Sequence, residues 1–206
     1  MKYKAILYDL DGTLVNTVDM NMMTLIRIIH EETGIELTFN DVIPYYSYPG
    51  IKVMEMFGFK DPEKVYKRWV RYVNEYEQKA SLYPGFKKVL SYFHAHSIKQ
   101  GIVSSKMHKQ YEIDVVPLHV EQFFDGCILQ EDTNKHKPDP EPILKCLDIL
   151  NVKPEEALYI GDTYNDYLAS KNANVDFGLA HWSKTYQGDT SEFTYVLEHP
   201  EDLLKI

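Results

Sequence analysis

The run Tyr3-Lys4-Ala5-Ile6-Leu7-Tyr8-Asp9-Leu10-Asp11-Gly12-Thr13 sets a short apolar stretch directly before two aspartates and a glycine. The apolar residues read as a buried strand, and Asp-x-Asp-Gly-Thr as the turn at its C-terminal end. In open α/β folds that edge of the sheet is where ligands bind. Two carboxylates held this close repel, and one takes up a proton unless a cation lies nearby. A divalent metal removes the conflict. Taken alone, the same run also reads as a surface turn, because Asp and Gly favour turns.

Downstream, the pattern turns helical. Thr17 to Thr33 carries a stripe of Met22, Leu25, Ile26 and Ile29, with Gly34 as its stop. The segment 40–59 holds Pro44, Pro49, Gly50 and Gly58 and predicts short broken helices. Asp61-Pro62-Glu63 reads as an N-cap with proline at N1, opening a helix to about Ala80. No strand signal falls between residues 14 and 81. From Pro84 onward, strands and helices alternate. Strands are expected at Lys99 to Ser104, Cys127 to Leu129, Ala157 to Gly161, Val175 to Gly178 and Thr194 to Leu197. Repeated units of this length predict a Rossmann-like, doubly wound parallel sheet. The expected organisation is an α/β core of residues 1–14 and 82–206, with an all-helical insertion at 15–81.

Composition agrees with one α/β domain plus an insertion. The 206 residues are 44% apolar and 26% charged, a globular balance rather than a disordered one. The net charge of −9 argues against a general nucleic-acid binder, which needs clustered Lys and Arg. Cys127 and Cys146 lack metal-ligand spacing and read as reduced core residues. No leader precedes the first strand, and no apolar run approaches a membrane span, so a cytoplasmic protein is expected.

Three more polar groups fall where strands end. Ile102-Val103-Ser104-Ser105-Lys106 ends one strand in two hydroxyls. Lys135-His136-Lys137-Pro138 puts a lysine ahead of a proline-fixed helix start. Gly161-Asp162-Thr163-Tyr164-Asn165-Asp166 ends another strand in an aspartate, with a second four residues on. Each has a plain alternative: Ser104 as a helix cap, Lys137 as a solvated charge, Asp162 and Asp166 as loop acids. Jointly they bring four acids, a hydroxyl and a lysine to one edge of one sheet.

On these residues the chain resembles the haloacid dehalogenase superfamily of phosphohydrolases. The motifs Asp9-x-Asp11-Gly12-Thr13, Ser104, Lys137-Pro138 and Gly161-Asp162-x-x-x-Asp166 occur in the family's order. The helical insertion resembles the C1 cap of the phosphoglycolate phosphatase and β-phosphoglucomutase branch. The resemblance implies that Asp9 attacks phosphorus and forms an aspartyl-phosphate, with Asp11 as general acid and base. It implies Mg2+ held by Asp9, the Asp11 main-chain carbonyl and Asp162. Asp166 then supports that metal site or pairs with Lys137. Gly12, Thr13, Ser104, Ser105 and Lys137 are expected to bind the phosphoryl group.

Asp11 argues against dehalogenation and phosphonate cleavage, whose family members lack an acid two residues after the nucleophile. Asn21 stands where sugar-phosphate mutases of this branch carry a histidine, which favours hydrolysis over mutase activity. The usual acid after Gly-Thr-Leu is replaced by Asn16, and a usual glycine by Asn174, which also tolerates left-handed backbone angles. Asn21 and Lys52 are the candidates for substrate selection, with Tyr45, Tyr46 and Tyr48 read as aromatic packing. His181-Trp182-Ser183 reads as a rim or a packed loop. A receiver domain expects adjacent acids, a phosphorylated aspartate on a later strand and no insertion, none of which fits. A non-catalytic interaction protein on the same fold stays as an alternative. The expected partner is a small phosphorylated substrate, with neither nucleic acid nor membrane.

Overall fold

The computed structural model describes residues 2–46 and 48–206. In chain order its strands are β1 Ala5–Tyr8, β2 Val15–Asn16, β3 Ser81–Leu82, β4 Lys99–Val103, β5 Gly126–Ile128, β6 Ala157–Gly161, β7 Asp176–Ala180 and β8 Tyr195–Leu197. The helices of the first half are α1 Val18–Thr33, α2 Phe39–Val42, α3 Gly50–Met56 and α4 Pro62–Glu75. Those of the second half are α5 Phe86–Ala95, α6 His108–Asp114, α7 Glu141–Leu150 and α8 Tyr164–Asn172. The chain divides into two units, residues 1–16 with 81–206, and residues 17–80.

The first unit is built on a six-stranded sheet of order β5-β4-β1-β6-β7-β8. Each neighbouring pair in it is parallel. The fold is therefore α/β and Rossmann-like. All four residues of β1 are buried, as a strand with a neighbour on each side and helices above and below requires. Alternation sends Ala5 and Leu7 into one core with Ile143, Cys146 and Leu147 of α7 and Tyr167 and Ala169 of α8. Tyr8 points the other way and meets Phe86 of α5 edge-on at 5.9 Å. Register aligns the strand ends. Tyr8 is level with Ile102 on β4 and Ile160 on β6, so the chain leaves all three strands at one edge.

Three sequence readings change here. Val15–Asn16 pairs antiparallel with Leu82 and Ser81, a ladder too short to show any periodicity in sequence. This ladder ties both crossing segments to the α/β unit, so the division falls after Asn16 and before Ser81. Cys127 is exposed, whereas Cys146 is buried. It lies on the outermost strand β5, where alternation turns Ile128 into the core and Cys127 away from it.

The second unit is helical around its own core, which includes Met22, Leu25, Ile29, Val53, Val65, Trp69 and Tyr72. Gly34 ends α1 with φ 73°, a left-handed stop that a side chain disfavours. Asp61 caps α4 by accepting from the Lys64 amide at 3.1 Å, with Pro62 at the first position. That helix ends at Glu75, short of Ala80, because Tyr76 turns to ψ 137°. Trp69 Nε1 donates to Thr24 Oγ1 at 3.0 Å, which anchors α4 on α1. Tyr45 and Tyr46 pack against this core, while Tyr48 stays 48% exposed. Among the described residues, no helix is long and apolar enough to cross a membrane.

Candidate active site

Asp9 follows β1 and its amide donates to the Ile160 carbonyl at 2.9 Å, which locks the residue beside β6. The amides of Thr13, Leu14 and Val15 all donate to the Leu10 carbonyl, closing a tight turn, and Gly12 takes φ 76° within it. Gly12 N donates to Val15 O at 3.0 Å in the same turn. The Gly12 and Thr13 amides are thus committed inside the turn rather than open to a phosphoryl oxygen, and their part is to shape it. The Thr13 hydroxyl, fully buried, donates to Asp162 Oδ1 at 3.4 Å.

Lys137 reaches into the same space. Its Nζ stands 3.0 Å from Asp9 Oδ1 and 2.6 Å from Asp166 Oδ1, and the side chain is 8% exposed. It also donates to the Tyr159 hydroxyl at 3.1 Å. Burial alone depresses a lysine, but the Asp166 and Asp9 charges outweigh it and hold the ammonium above the usual value. The Lys137–Pro138 peptide is cis.

Asp166 opens α8 together with Thr163 in a reciprocal cap. Thr163 N and Oγ1 donate to Asp166 Oδ2 at 3.0 and 2.5 Å. Its other oxygen takes Lys137 and the Tyr159 hydroxyl, the latter at 3.0 Å. Burial pushes this carboxyl up, yet the Lys137 charge and these bonds bring it below the ordinary aspartate value. With two donors on each oxygen, Asp166 is suited to orienting Lys137. Asp162 differs. Burial, then the charges of Asp166 and Asp9, push it well above the ordinary value, and Thr185 Oγ1 bonds Oδ2 at 2.7 Å.

Oxygen atoms of Asp9, Asp162 and Asp166 all lie within 4.8 Å of one another, and all three residues are buried. Lys137 supplies one positive charge against three carboxylates. Burial also raises Asp9 to about 6 despite the Lys137 charge, so the site holds more negative charge than its own cation balances. An all-oxygen set with excess negative charge suits a hard divalent cation. The residues present therefore fit Mg2+.

Ser104 follows β4 with 6% exposure, and its Oγ accepts from the Lys106 amide at 3.3 Å. Ser105 is exposed. Asp11 stands apart from the acid cluster: its Oδ1 pairs with Lys106 Nζ at 3.1 Å. Lys106 was not singled out by sequence, nor were Thr185 and Tyr159. Trp182 Nε1 donates to Thr13 O at 3.0 Å and packs edge-on against Phe86, so His181-Trp182-Ser183 is a packed loop that braces the turn after β1. His136 is exposed.

The substrate-selecting candidates lie in the helical unit. Asn21 turns its amide back to the Thr17 carbonyl at 2.8 Å. Lys52 is 56% exposed and pairs with Glu55 at 3.2 Å, one turn along the same helix.

Residues 6–180 run from β1 to the end of β7 and contain Asp9, Asp11, Asp162 and Asp166. They match the family model of the haloacid dehalogenase-like hydrolases, and the chain belongs to that family. It is an enzyme of the family's phosphatase kind. A Caldanaerobacter subterraneus subsp. tengcongensis protein carrying the pyrophosphatase PpaX name is 31% identical over 185 residues, 89% of this chain and 84% of the relative. Pyrophosphatase PpaX of Bacillus anthracis is 29% identical over 224 residues, covering 100% of this chain and 97% of the relative. A crystal structure from Lactobacillus plantarum, assigned as a phosphoglycolate phosphatase, superposes with a TM-score of 0.87 at 26% identity, covering 100% and 99% of the two chains.

Proposed function

We propose that the chain is a Mg2+-dependent phosphohydrolase that releases phosphate from a small phosphorylated metabolite. Asp9 is the nucleophile and Asp11 the proton carrier. The observation that carries this reading is the place of Asp9: buried at the end of the central strand, against Lys137 and within reach of two further acids. A phosphoryl group arriving there meets a carboxylate oxygen and, beside it, an ammonium to offset its charge. Attack by Asp9 gives an aspartyl-phosphate as the bond to the leaving oxygen breaks. Asp11 gives that oxygen a proton, then takes one from the water that hydrolyses the intermediate.

Asp9, the Asp11 main-chain carbonyl and Asp162 would hold Mg2+, which when bound neutralises charge on the transferring phosphoryl oxygens. Asp166 orients Lys137. Ser104 and Lys137 bind phosphoryl oxygens, with Ser105 at the exposed side. The helical unit is the substrate-selecting cap, with Asn21 and Lys52 as its candidate residues. Pyrophosphate leads the candidate substrates, supported by the names of the full-length relatives. Both cysteines are free, in keeping with a reducing, cytoplasmic location.

The test is phosphate release across a panel of pyrophosphate, phosphoglycolate, sugar phosphates, nucleotides and an aryl phosphate, with Mg2+ and with chelator. Turnover that appears with Mg2+ and vanishes with chelator is expected. Turnover of none of them by a folded, Mg2+-loaded protein would replace this reading with that of a non-catalytic binding protein.

A further inference from the structure

Lys106 is a buried cation for which the phosphoryl-transfer reading has no use. Its side chain is 6% exposed, and its Nζ bridges Asp11 Oδ1 at 3.1 Å and Asp114 Oδ2 at 2.6 Å. Asp114 is itself 6% exposed and takes a second bond from Gln110 Nε2 at 3.0 Å. The backbone of Lys106 is held as firmly: its amide bonds Ser104 Oγ at 3.3 Å and its carbonyl accepts from Gln130 at 3.0 Å.

Stability alone is a poor reason for this arrangement. Burying one ammonium between two carboxylates costs desolvation that hydrophobic packing would avoid. Asp114 also closes α6, and a carboxylate at a helix C-terminus faces the negative end of the helix dipole. What the trio does supply is orientation. Asp11 keeps 29% of its side chain exposed, and an ammonium held 3.1 Å from Oδ1 narrows the rotamers its carboxylate adopts.

We propose that Lys106, anchored by Asp114, is a positioning residue that holds the Asp11 carboxylate in its proton-transferring orientation. An ammonium on Oδ1 makes that oxygen an acceptor, so the transferable proton resides on Oδ2. As the phosphorus–oxygen bond breaks, the bonding pair goes to the leaving oxygen, and this proton moves from Oδ2 to it. The inference rests on Asp11 being the proton carrier of the phosphatase reading.

A change in leaving group separates positioning from packing, because p-nitrophenolate departs with little need of a proton and phenolate needs one. Lys106→Met is compared with the wild type by kcat/KM on p-nitrophenyl phosphate and phenyl phosphate in Mg2+. The expected result is a loss on phenyl phosphate on the order of tenfold or more beyond that on p-nitrophenyl phosphate. Lys106→Arg restores part of it, and Asp114→Asn shows the same selectivity to a smaller degree. Equal losses on both esters would overturn the proposal, leaving Lys106 a packing or substrate-contact residue. If Lys106→Met does not fold, Asp114→Asn decides by the same ratio. A wild type inert to both esters in Mg2+ would instead overturn the phosphatase reading on which the proposal stands.

Discussion

Lys137 and Asp166 form a buried ion pair, with Nζ 2.6 Å from Oδ1 and side-chain exposures of 8% and 0%. The same ammonium stands 3.0 Å from Asp9 Oδ1. Removing the cation leaves Asp9, Asp162 and Asp166 to repel at close range in a buried site. Lys137→Met is therefore expected to destabilise the metal-free protein by about 3–5 kcal/mol, measured by urea unfolding. A change within about 0.5 kcal/mol would show that water or rearrangement compensates the acids.

The acids also give the metal-free protein a characteristic pH dependence. Asp9 is raised to about 6 from an ordinary 3.8. Between those values the folded state binds a proton that the unfolded chain has lost, so stability falls as pH rises through that window. Asp166 has the opposite sign: its lowered value gives stability that is lost only as pH falls below the ordinary carboxylate range. Mg2+ binding requires the ionised acids and relieves their repulsion. Differential scanning calorimetry is expected to show a larger Mg2+-induced gain in Tm near about pH 7.5 than near about pH 5. An equal gain at both would place the metal elsewhere.

Thr185 bonds Asp162 Oδ2 at 2.7 Å and the Asp162 carbonyl at 3.1 Å. Partners that orient a metal-binding carboxylate matter to affinity almost as the ligand does. Thr185→Val is expected to weaken Mg2+ binding about 10- to 100-fold by calorimetric titration, with the sheet intact. Unchanged affinity would remove Asp162 from the metal site.

Gly161 ends β6 with no room for a side chain. A Cβ there would meet Asp166 Cγ at 2.6 Å. Gly161→Ala is expected to cost about 1–3 kcal/mol and to displace the Asp166–Lys137 pair, so activity falls more than stability. Full turnover would mean that the helix carrying Asp166 shifts without harm.

The parallel sheet was legible because β1 and β6 are apolar runs ending in turn chemistry and β4 closes on Ile102-Val103 before Ser104, and register then carries Asp9, Ser104 and Asp162 to one edge. Asn174, read as a stand-in for glycine, indeed takes φ 57°. What sequence hid are contacts set only by tertiary packing. Thr185 reaches Asp162 across 23 residues of chain, and Lys106 finds one particular acid, Asp114, among many in the sequence. The two-residue ladder of β2 and β3 was too short for any pattern. Gly12 and Thr13, expected among the phosphoryl-binding residues, keep their amides inside the turn, because a motif gives residue types and leaves the turn's internal bonds unseen.

The central claim is that Asp9 carries the phosphoryl group. Turnover with pyrophosphate or an aryl phosphate and Mg2+, quenched with borohydride, reduces an aspartyl-phosphate to homoserine, which peptide mass spectrometry locates. The account predicts homoserine at position 9 in the wild type, more of it in Asp11→Asn, where hydrolysis of the intermediate is slowed, and none in Asp9→Asn. Active wild-type protein with no modification at Asp9, or with the label at Asp162 or Asp166, would contradict it.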